Sequence, residues 1–168
     1  MQRRKLLALG AVSAAVLAVG GGAVAVLQPG LRESRLSPGG REVFAAAGRA
    51  LLEGSLPDTP EALQGALEAL LVRVDAVVAA LPPHAQSELS QLLALLSTAG
   101  GRRALAGLAE PWPRAATADV QQALQEMRTS AISLRQQAYQ ALHDIVGGAY
   151  FSDAQTWGLL GYPGPRVI

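Results

Sequence analysis

The sequence predicts an all-α protein, made of an N-terminal signal or anchor helix, a bundle of four or five helices and an irregular aromatic C-terminal tail. Ala and Leu dominate the apolar half of the chain, while β-branched and aromatic residues, which favour sheets, are scarce. Apolar residues recur at spacings of three and four, as on amphipathic helices, and we find no segment that alternates with period 2. Gly and Pro separate the periodic segments, so we expect antiparallel helices joined by short loops.

With 168 residues, the chain is long enough for one domain. We divide it into four segments. Residues 1–27 form a signal or membrane anchor, and residues 28–36 form a polar linker. Residues 37–148 form the bundle, and residues 149–168 form a tail that packs on the bundle or on a partner.

The first segment has the organisation of an export signal. Three basic residues at positions 3–5 precede the uncharged residues 6–27, as a basic n-region precedes an apolar h-region. Ala23 and Ala25 fit the A-x-A pattern for cleavage after Ala25. Left uncut, residues 6–27 would span about 33 Å as a helix, enough for a bilayer core. A cleaved leader and a membrane anchor therefore both remain open.

Arg3 and Arg4, followed after one residue by Leu6 and Leu7, resemble the twin-arginine export signal. The Gly- and Ala-rich apolar region is only mildly hydrophobic, which also resembles this class. The alternative is an ordinary signal for unfolded chains, because two arginines arise easily by chance in a basic n-region. We predict the twin-arginine translocase as a partner, and the periplasm or the periplasmic side of the inner membrane as the location.

The body of the chain is nearly neutral. The formal net charge is +1, and it becomes −2 without the three basic residues at positions 3–5. No basic patch suited to a phosphate backbone remains, so we expect no nucleic-acid binding. The sequence has no cysteine, which excludes disulfides, thiolate nucleophiles and most structural zinc sites.

Local signals place the helix ends. Ser-Pro at residues 37–38 and Thr-Pro at residues 59–60 predict helix starts, and Pro-Pro at residues 82–83 ends one helix and starts the next. A further short helix is predicted from Arg102 to Leu108, and residues 110–116 are predicted to be a loop. Arg102-Arg103 could bind an anion, but we expect a solvated turn there. The remaining predicted helix ends are at Gly54, Gly100-Gly101 and Gly147-Gly148.

The longest predicted helix runs from about Ala118 to about Val146. Its apolar residues keep one phase, and glutamines occupy much of the opposite face. Such a face is expected on a bundle rather than in a membrane. The predicted stripe is Val120, Leu124, Met127, Ala131, Leu134, Ala138, Leu142 and Ile145.

No motif in the sequence predicts chemistry by the chain itself. The patterns of zinc proteases, serine hydrolases, P-loops and dinucleotide sites are all missing from the sequence. The histidines are His84 and His143, and His143 precedes Asp144. Because neighbours in sequence do not face each other on a helix, we do not expect a dyad there. We predict no catalytic residue, no metal ligand and no cofactor bound by this chain.

The tail is the most distinctive part of the sequence. Of the seven aromatic residues, four lie there, and Ser152 or Asp153 can cap a short helical turn between them. Rigid aromatic side chains are common anchors at interfaces. Two interpretations stay open: the tail binds a partner, or it folds back and closes the bundle. In a combination of both, Phe151 points inward while Trp157 and Tyr162 point outward.

The tail resembles the C-terminal signature of the gluconate 2-dehydrogenase subunit 3 family. Residues 36–44, "LSPGGREVF", also resemble that family's first helix, and the order of signal, bundle and tail is similar. The chain departs from the family in being short and in its Ala- and Leu-rich middle. The positions that carry the resemblance are Tyr150, Phe151, Ser152, Asp153, Trp157, Gly161, Tyr162, Pro163, Gly164 and Pro165.

The resemblance implies a non-catalytic small subunit of a flavin-dependent dehydrogenase of the glucose–methanol–choline type. A large subunit would bind FAD and pass its electrons to a cytochrome c subunit or to quinone. The small subunit would supply the export signal for the folded pair. The residues expected to bind the large subunit are Tyr150, Phe151, Trp157, Gly161, Tyr162, Pro163, Gly164 and Pro165.

Two other functions are weighed against this one. The first is a self-standing membrane-anchored or periplasmic protein whose bundle holds an apolar ligand. The second is an enzyme that uses His143 and Asp144.

Overall fold

The structure is a computed structural model that describes residues 28–160, and this part of the chain is mostly helical. The all-α prediction is confirmed, but the described residues hold six α-helices rather than four or five. A 3-10 segment, Ala154–Leu160, follows the last helix. The elements are β1 (Leu31–Arg32), β2 (Arg35–Leu36), α1 (Pro38–Leu51), α2 (Pro60–Ala79), α3 (Pro83–Ser97), α4 (Ala99–Ala106), α5 (Thr117–Thr129) and α6 (Ser133–Phe151).

Both ends of the chain lie outside the described residues. The predicted leader, with Arg3, Arg4 and the cleavage site, falls there, and so do the tail positions from Gly161 onward. Between residues 28 and 160, no helix combines the length and the apolar character needed to cross a membrane.

Helix α1 is the centre of the bundle, because it packs against α2, α3, α5 and α6. Val43 and Phe44 are fully buried on it. Helix α1 can approach α2 closely because Gly48 has no side chain. A Cβ added at Gly48 would lie 2.6 Å from Cδ2 of Leu70. The predicted start of this helix is confirmed, since the Ser37 hydroxyl oxygen accepts a hydrogen bond from the Gly40 amide at 3.2 Å.

Residues 28–36 are not the predicted linker but include a short hairpin that packs on the bundle. Leu31 and Leu36 pair across β1 and β2 and are both buried. The Leu31 amide donates to Oγ of Ser90 at 3.1 Å, and the Leu36 amide donates to Oδ1 of Asp75 at 2.8 Å. The turn, at residues 33–34, has positive φ at both positions without the Asn-Gly sequence typical of such turns. Strands of two residues also show no alternation, so the pattern gave no signal.

The predicted long helix is broken into α5 and α6 at residues 130–132. Ser130 and Ile132 have extended backbone, and Oγ of Ser130 accepts a hydrogen bond from the Ile132 amide at 3.1 Å. Hydroxyl side chains compete in this way with helical hydrogen bonds. Ala131, which the predicted stripe placed in the core, is exposed in this turn. The two helices pack against each other, and because their apolar stripes stay in phase, periodicity alone did not reveal the break.

The predicted stop at Gly147-Gly148 is wrong, and the break predicted at Gly100-Gly101 lies slightly earlier, at Thr98. Helix α6 continues through Gly147 and Gly148 to Phe151, because neither glycine takes a left-handed backbone. Gly101 lies in the first turn of α4, where its amide donates to Oγ1 of Thr98, the cap of that helix, at 3.0 Å. By contrast, Gly54 follows the end of α1 as predicted and has a left-handed backbone, with φ +80°.

Two buried side chains with polar groups, Arg102 of α4 and Trp112, hold the segment that follows α4. Arg102 is not in a solvated turn: it is buried, and its guanidinium donates to the carbonyls of Leu108 at 3.2 Å and Ala109 at 3.0 Å. Trp112 of the predicted loop is 2% exposed, and its indole N–H donates to the Leu96 carbonyl at 2.8 Å. The loop is therefore anchored to the core by side-chain to backbone hydrogen bonds.

Candidate partner-binding surface at the end of α6

Two adjacent aromatic residues at the end of α6 have opposite surroundings. Tyr150 is 6% exposed, and its hydroxyl donates to the Ser55 carbonyl at 3.2 Å. Phe151 is 43% exposed, and its ring meets the Tyr150 ring edge-on with the centroids 5.2 Å apart. Successive helical residues point about 100° apart, so only one of the two can face the core.

The ring that points inward is thus that of Tyr150, and the expectation of an inward Phe151 is wrong. Tyr150 belongs to the bundle core in this chain, so its ring is not on the surface that a partner could contact. Among the described tail residues, Phe151 and Trp157 are the aromatic side chains with exposed area. We call these two residues the aromatic end.

The side chain of Trp157 is hydrogen-bonded to the end of α6. Its indole N–H donates to the Phe151 carbonyl at 2.8 Å. The last carbonyls of a helix have no partner within the helix, and here an aromatic side chain supplies one. The indole is half-buried over the end of α6, so the two members of the aromatic end share one location.

The predicted helical turn in the tail is confirmed, with Asp153 as its cap. Oδ1 of Asp153 accepts a hydrogen bond from the Gln155 amide at 3.0 Å. The Asp153 carbonyl accepts hydrogen bonds from the amide and the hydroxyl of Thr156, at 3.0 Å and 2.8 Å. Ser152 instead turns back, and its hydroxyl donates to the Ala149 carbonyl at 2.8 Å.

A residue that the sequence analysis did not single out joins this region to α2. The Arg73 guanidinium donates through Nε to the Ala149 carbonyl at 3.0 Å and through Nη1 to Oδ2 of Asp153 at 3.2 Å. The two acceptors lie 76 and 80 positions further along the chain. No local sequence signal could have predicted such contacts.

The His143–Asp144 pair is closer than the sequence predicted, but it lies on an exposed face of α6. Nδ1 of His143 is 3.1 Å from Oδ1 of Asp144, and the His143 ring stacks on Tyr139. A hydrogen bond from Nε2 of Gln140 is the main cause that lowers the pKa of Asp144 below its usual range. Burial, the next largest effect, opposes this shift, and His143 adds a smaller lowering effect. Both side chains are more than half exposed, so no wall is present to hold a substrate against them.

Other groups offer little chemistry. His84 is exposed, and the structure has no group of three or more His, Cys, Asp or Glu residues within its described part that could hold a metal ion. A surface groove of about 490 Å³ at the start of α1 is lined partly by Arg32, Ser37 and Ser97. A second groove, of about 320 Å³, is lined partly by Asp119 and Glu126. The mainly polar lining of the second groove suits an apolar ligand poorly.

No protein-family model, curated protein or solved structure matches the chain.

Proposed function

We propose that the chain is a non-catalytic accessory subunit of a flavin-dependent dehydrogenase of the glucose–methanol–choline type. It escorts the folded large subunit through twin-arginine export and stabilises it. The observation that carries the proposal is the exposure of the aromatic end directly before residues 161–165, which resemble the signature of the gluconate 2-dehydrogenase subunit 3 family.

The geometry of the aromatic end supports a role in protein binding. Phe151 belongs to a helix, and the indole of Trp157 is hydrogen-bonded to that helix. Aromatic side chains on a rigid support lose little conformational entropy when a partner covers them, which is why they contribute strongly to interfaces. The large subunit would bind FAD, and a cytochrome c subunit or quinone would accept the electrons.

Within this proposal, Arg3, Arg4, Leu6 and Leu7 direct the complex to the twin-arginine translocase. The subunit would act in the periplasm or on the periplasmic side of the inner membrane. Residues 6–27 would hold it at the membrane if the leader is not cleaved after Ala25.

Co-expression with a flavoprotein encoded beside this chain tests the proposal. We expect the full chain to purify as a stoichiometric yellow complex with the absorbance of FAD. Phe151→Ala and Trp157→Ala should each weaken the complex by about 2 kcal/mol or more, as measured by titration of the purified subunits.

Ile132→Ala is the matched control, because Ile132 is also a large exposed apolar residue but lies at the opposite end of α6. It should leave the affinity unchanged. A flavoprotein that never co-purifies with the wild-type chain would refute the proposed function. Equal affinities for all three variants would refute only the role of the aromatic end.

The export route has its own test. A fusion that carries Arg3→Lys together with Arg4→Lys should remain in the cytoplasm, because the twin-arginine translocase requires the arginine pair. Unchanged export of this variant would show that the leader uses another route.

A further inference from the structure

Arg73 connects three parts of the molecule through one side chain. It extends from α2, and its two hydrogen bonds reach the last turn of α6 at Ala149 and the start of the following segment at Asp153. These two acceptors lie on either side of Phe151 in the sequence. One guanidinium thus fixes the chain just before and just after the first residue of the aromatic end.

Further hydrogen bonds lead from Asp153 towards Trp157. Asp153 uses one carboxylate oxygen for Arg73 and the other for the Gln155 amide, while its carbonyl holds the Thr156 hydroxyl. Thr156 is buried and directly precedes Trp157. A series of hydrogen bonds therefore leads from α2 to the residue next to Trp157, and the Thr156 hydroxyl also donates to the Tyr150 carbonyl at 3.2 Å.

The chemistry of this contact suits an arginine. The carbonyl end of a helix carries partial negative charge, which attracts a cation, and Asp153 adds a full negative charge beside it. The side chains of Arg73 and Asp153 are 26% and 29% exposed, so water screens them less than a fully exposed pair. A planar guanidinium can serve both acceptors at fixed angles, whereas a lysine ammonium has no such fork.

We infer that Arg73 is a positioning residue that locks the aromatic end into its binding geometry before a partner arrives. Its contribution is preorganisation. Because the hydrogen bonds of Arg73 already fix the segment, the conformational entropy of ordering Phe151 and Trp157 is not lost when a partner binds. The orientation of the indole can be measured in the chain alone. Only the effect on partner affinity rests on the proposed function.

The fold provides a matched control for an ordinary structural ion pair. Arg41 of α1 and Asp75 of α2 form an ion pair, with Nη1 of Arg41 3.3 Å from Oδ2 of Asp75. The two side chains are 39% and 19% exposed. Asp75 lies two residues from Arg73 on the same helix, but this pair connects to the start of α1 and to the hairpin rather than to the tail. Loss of either pair removes a comparable ion pair, and only one of them should affect Trp157.

Hydrogen exchange of the two indole N–H groups, followed by NMR in the full chain, tests the inference. Arg73→Ala should speed exchange at Trp157 about tenfold or more, because the free energy of opening falls when the segment is released. Trp112, which is bonded to the core, serves as an internal reference and should not change. Arg41→Ala should leave both indoles as in the wild type.

Two conservative variants, Asp153→Asn and Arg73→Lys, distinguish loss of the Arg73–Asp153 contact from general misfolding. Both retain much of the local volume. Asp153→Asn removes the negative charge that pairs with Arg73, and Arg73→Lys removes the planar guanidinium, so each should speed exchange at Trp157 alone. Faster exchange at both indoles together, or the same exchange at Trp157 in Arg73→Ala and Arg41→Ala, would overturn the inference.

Affinity for the flavoprotein separates this inference from the proposed function. We expect Arg73→Ala to weaken the complex about tenfold, with Phe151 and Trp157 still present. If the wild-type chain forms the complex but exchange at Trp157 does not respond to Arg73, the inference fails and the proposed function stands. If exchange responds but no flavoprotein binds the wild type, the proposed function fails and Arg73 remains a positioning residue.

Discussion

The two tryptophans make the same hydrogen bond in different surroundings. The indole N–H of Trp112 donates to the carbonyl of Leu96 in the last turn of α3, and that of Trp157 donates to the carbonyl of Phe151 at the end of α6, both at 2.8 Å. Trp112 is 2% exposed, whereas Trp157 is only half-buried. The same capping bond therefore closes the core at one site and fixes a surface side chain at the other.

The difference shows what decides the role of an aromatic residue in this fold. Nearly all of the apolar surface of Trp112 is buried in the core, so substitution of Trp112 should affect folding. Trp157 keeps part of its area on the surface, so its loss should affect binding more than folding. Substitutions that separate stability from affinity can test this contrast.

The largest effect is expected for Trp112→Ala. Removing a fully buried indole leaves a cavity and an unpaired Leu96 carbonyl, so the free energy of unfolding should fall by about 3–5 kcal/mol. Urea denaturation followed by circular dichroism measures this loss. A loss below about 1 kcal/mol would mean that Trp112 is not the core anchor that its burial indicates.

Tyr150→Phe should have an intermediate effect. It removes only the hydroxyl that donates to the Ser55 carbonyl, and one such bond contributes about 1 kcal/mol to stability. The same denaturation measurement checks it, with Tyr139→Phe as the control because no bond of the Tyr139 hydroxyl is seen in the described part of the chain. Equal stability of both variants would show that the hydrogen bond from Tyr150 to the Ser55 carbonyl does not stabilise the fold.

Trp157→Ala should reduce stability by less than about 1 kcal/mol, although it should weaken the proposed complex strongly. The lost bond is at a partly exposed helix end, where water can replace the indole as donor to the carbonyl. A loss as large as that of Trp112→Ala would place Trp157 in the core and remove the contrast between the two residues.

The smallest effect is expected on the exposed face of α6. The Gln140–Asp144 pair on this helix surface should contribute about 0.3 kcal/mol. Because the pKa of Asp144 is lowered in the folded state, this contribution is complete above the ordinary carboxyl range and is lost as the pH falls through the lowered pKa. The free energy of unfolding of Gln140→Ala relative to wild type should therefore be about 0.3 kcal/mol lower at neutral pH than in strong acid, as a pH series of urea denaturation would show.

Local signals predicted the helix starts and most of the core, while long-range contacts could not be predicted. Pro38, Pro60 and Pro83 each begin a helix as expected, because a proline at the first helical position is a local feature. Val120, Leu124 and Met127 are buried as their spacing predicts.

The failures have physical causes of two kinds. The hairpin and the turn at residues 130–132 depend on few residues, so neither disturbs the periodicity. Arg73 is a different case, because its partners are distant in sequence and only the packing of α2 against α6 brings them together. The aromatic content of the tail was visible in the sequence, but not the fact that Tyr150 and Phe151 divide between core and surface.

The start of the described domain bears on the predicted cleavage after Ala25. The domain is already anchored at Gly30, whose amide donates to the Ser90 carbonyl at 3.2 Å and whose carbonyl accepts from the Ser37 amide at 2.9 Å. A peptidase that cut after Ala25 would remove no residue of this anchored region. Proteolytic processing and folding would then need no fixed order, and a chain trimmed late would have the same domain as a chain trimmed early.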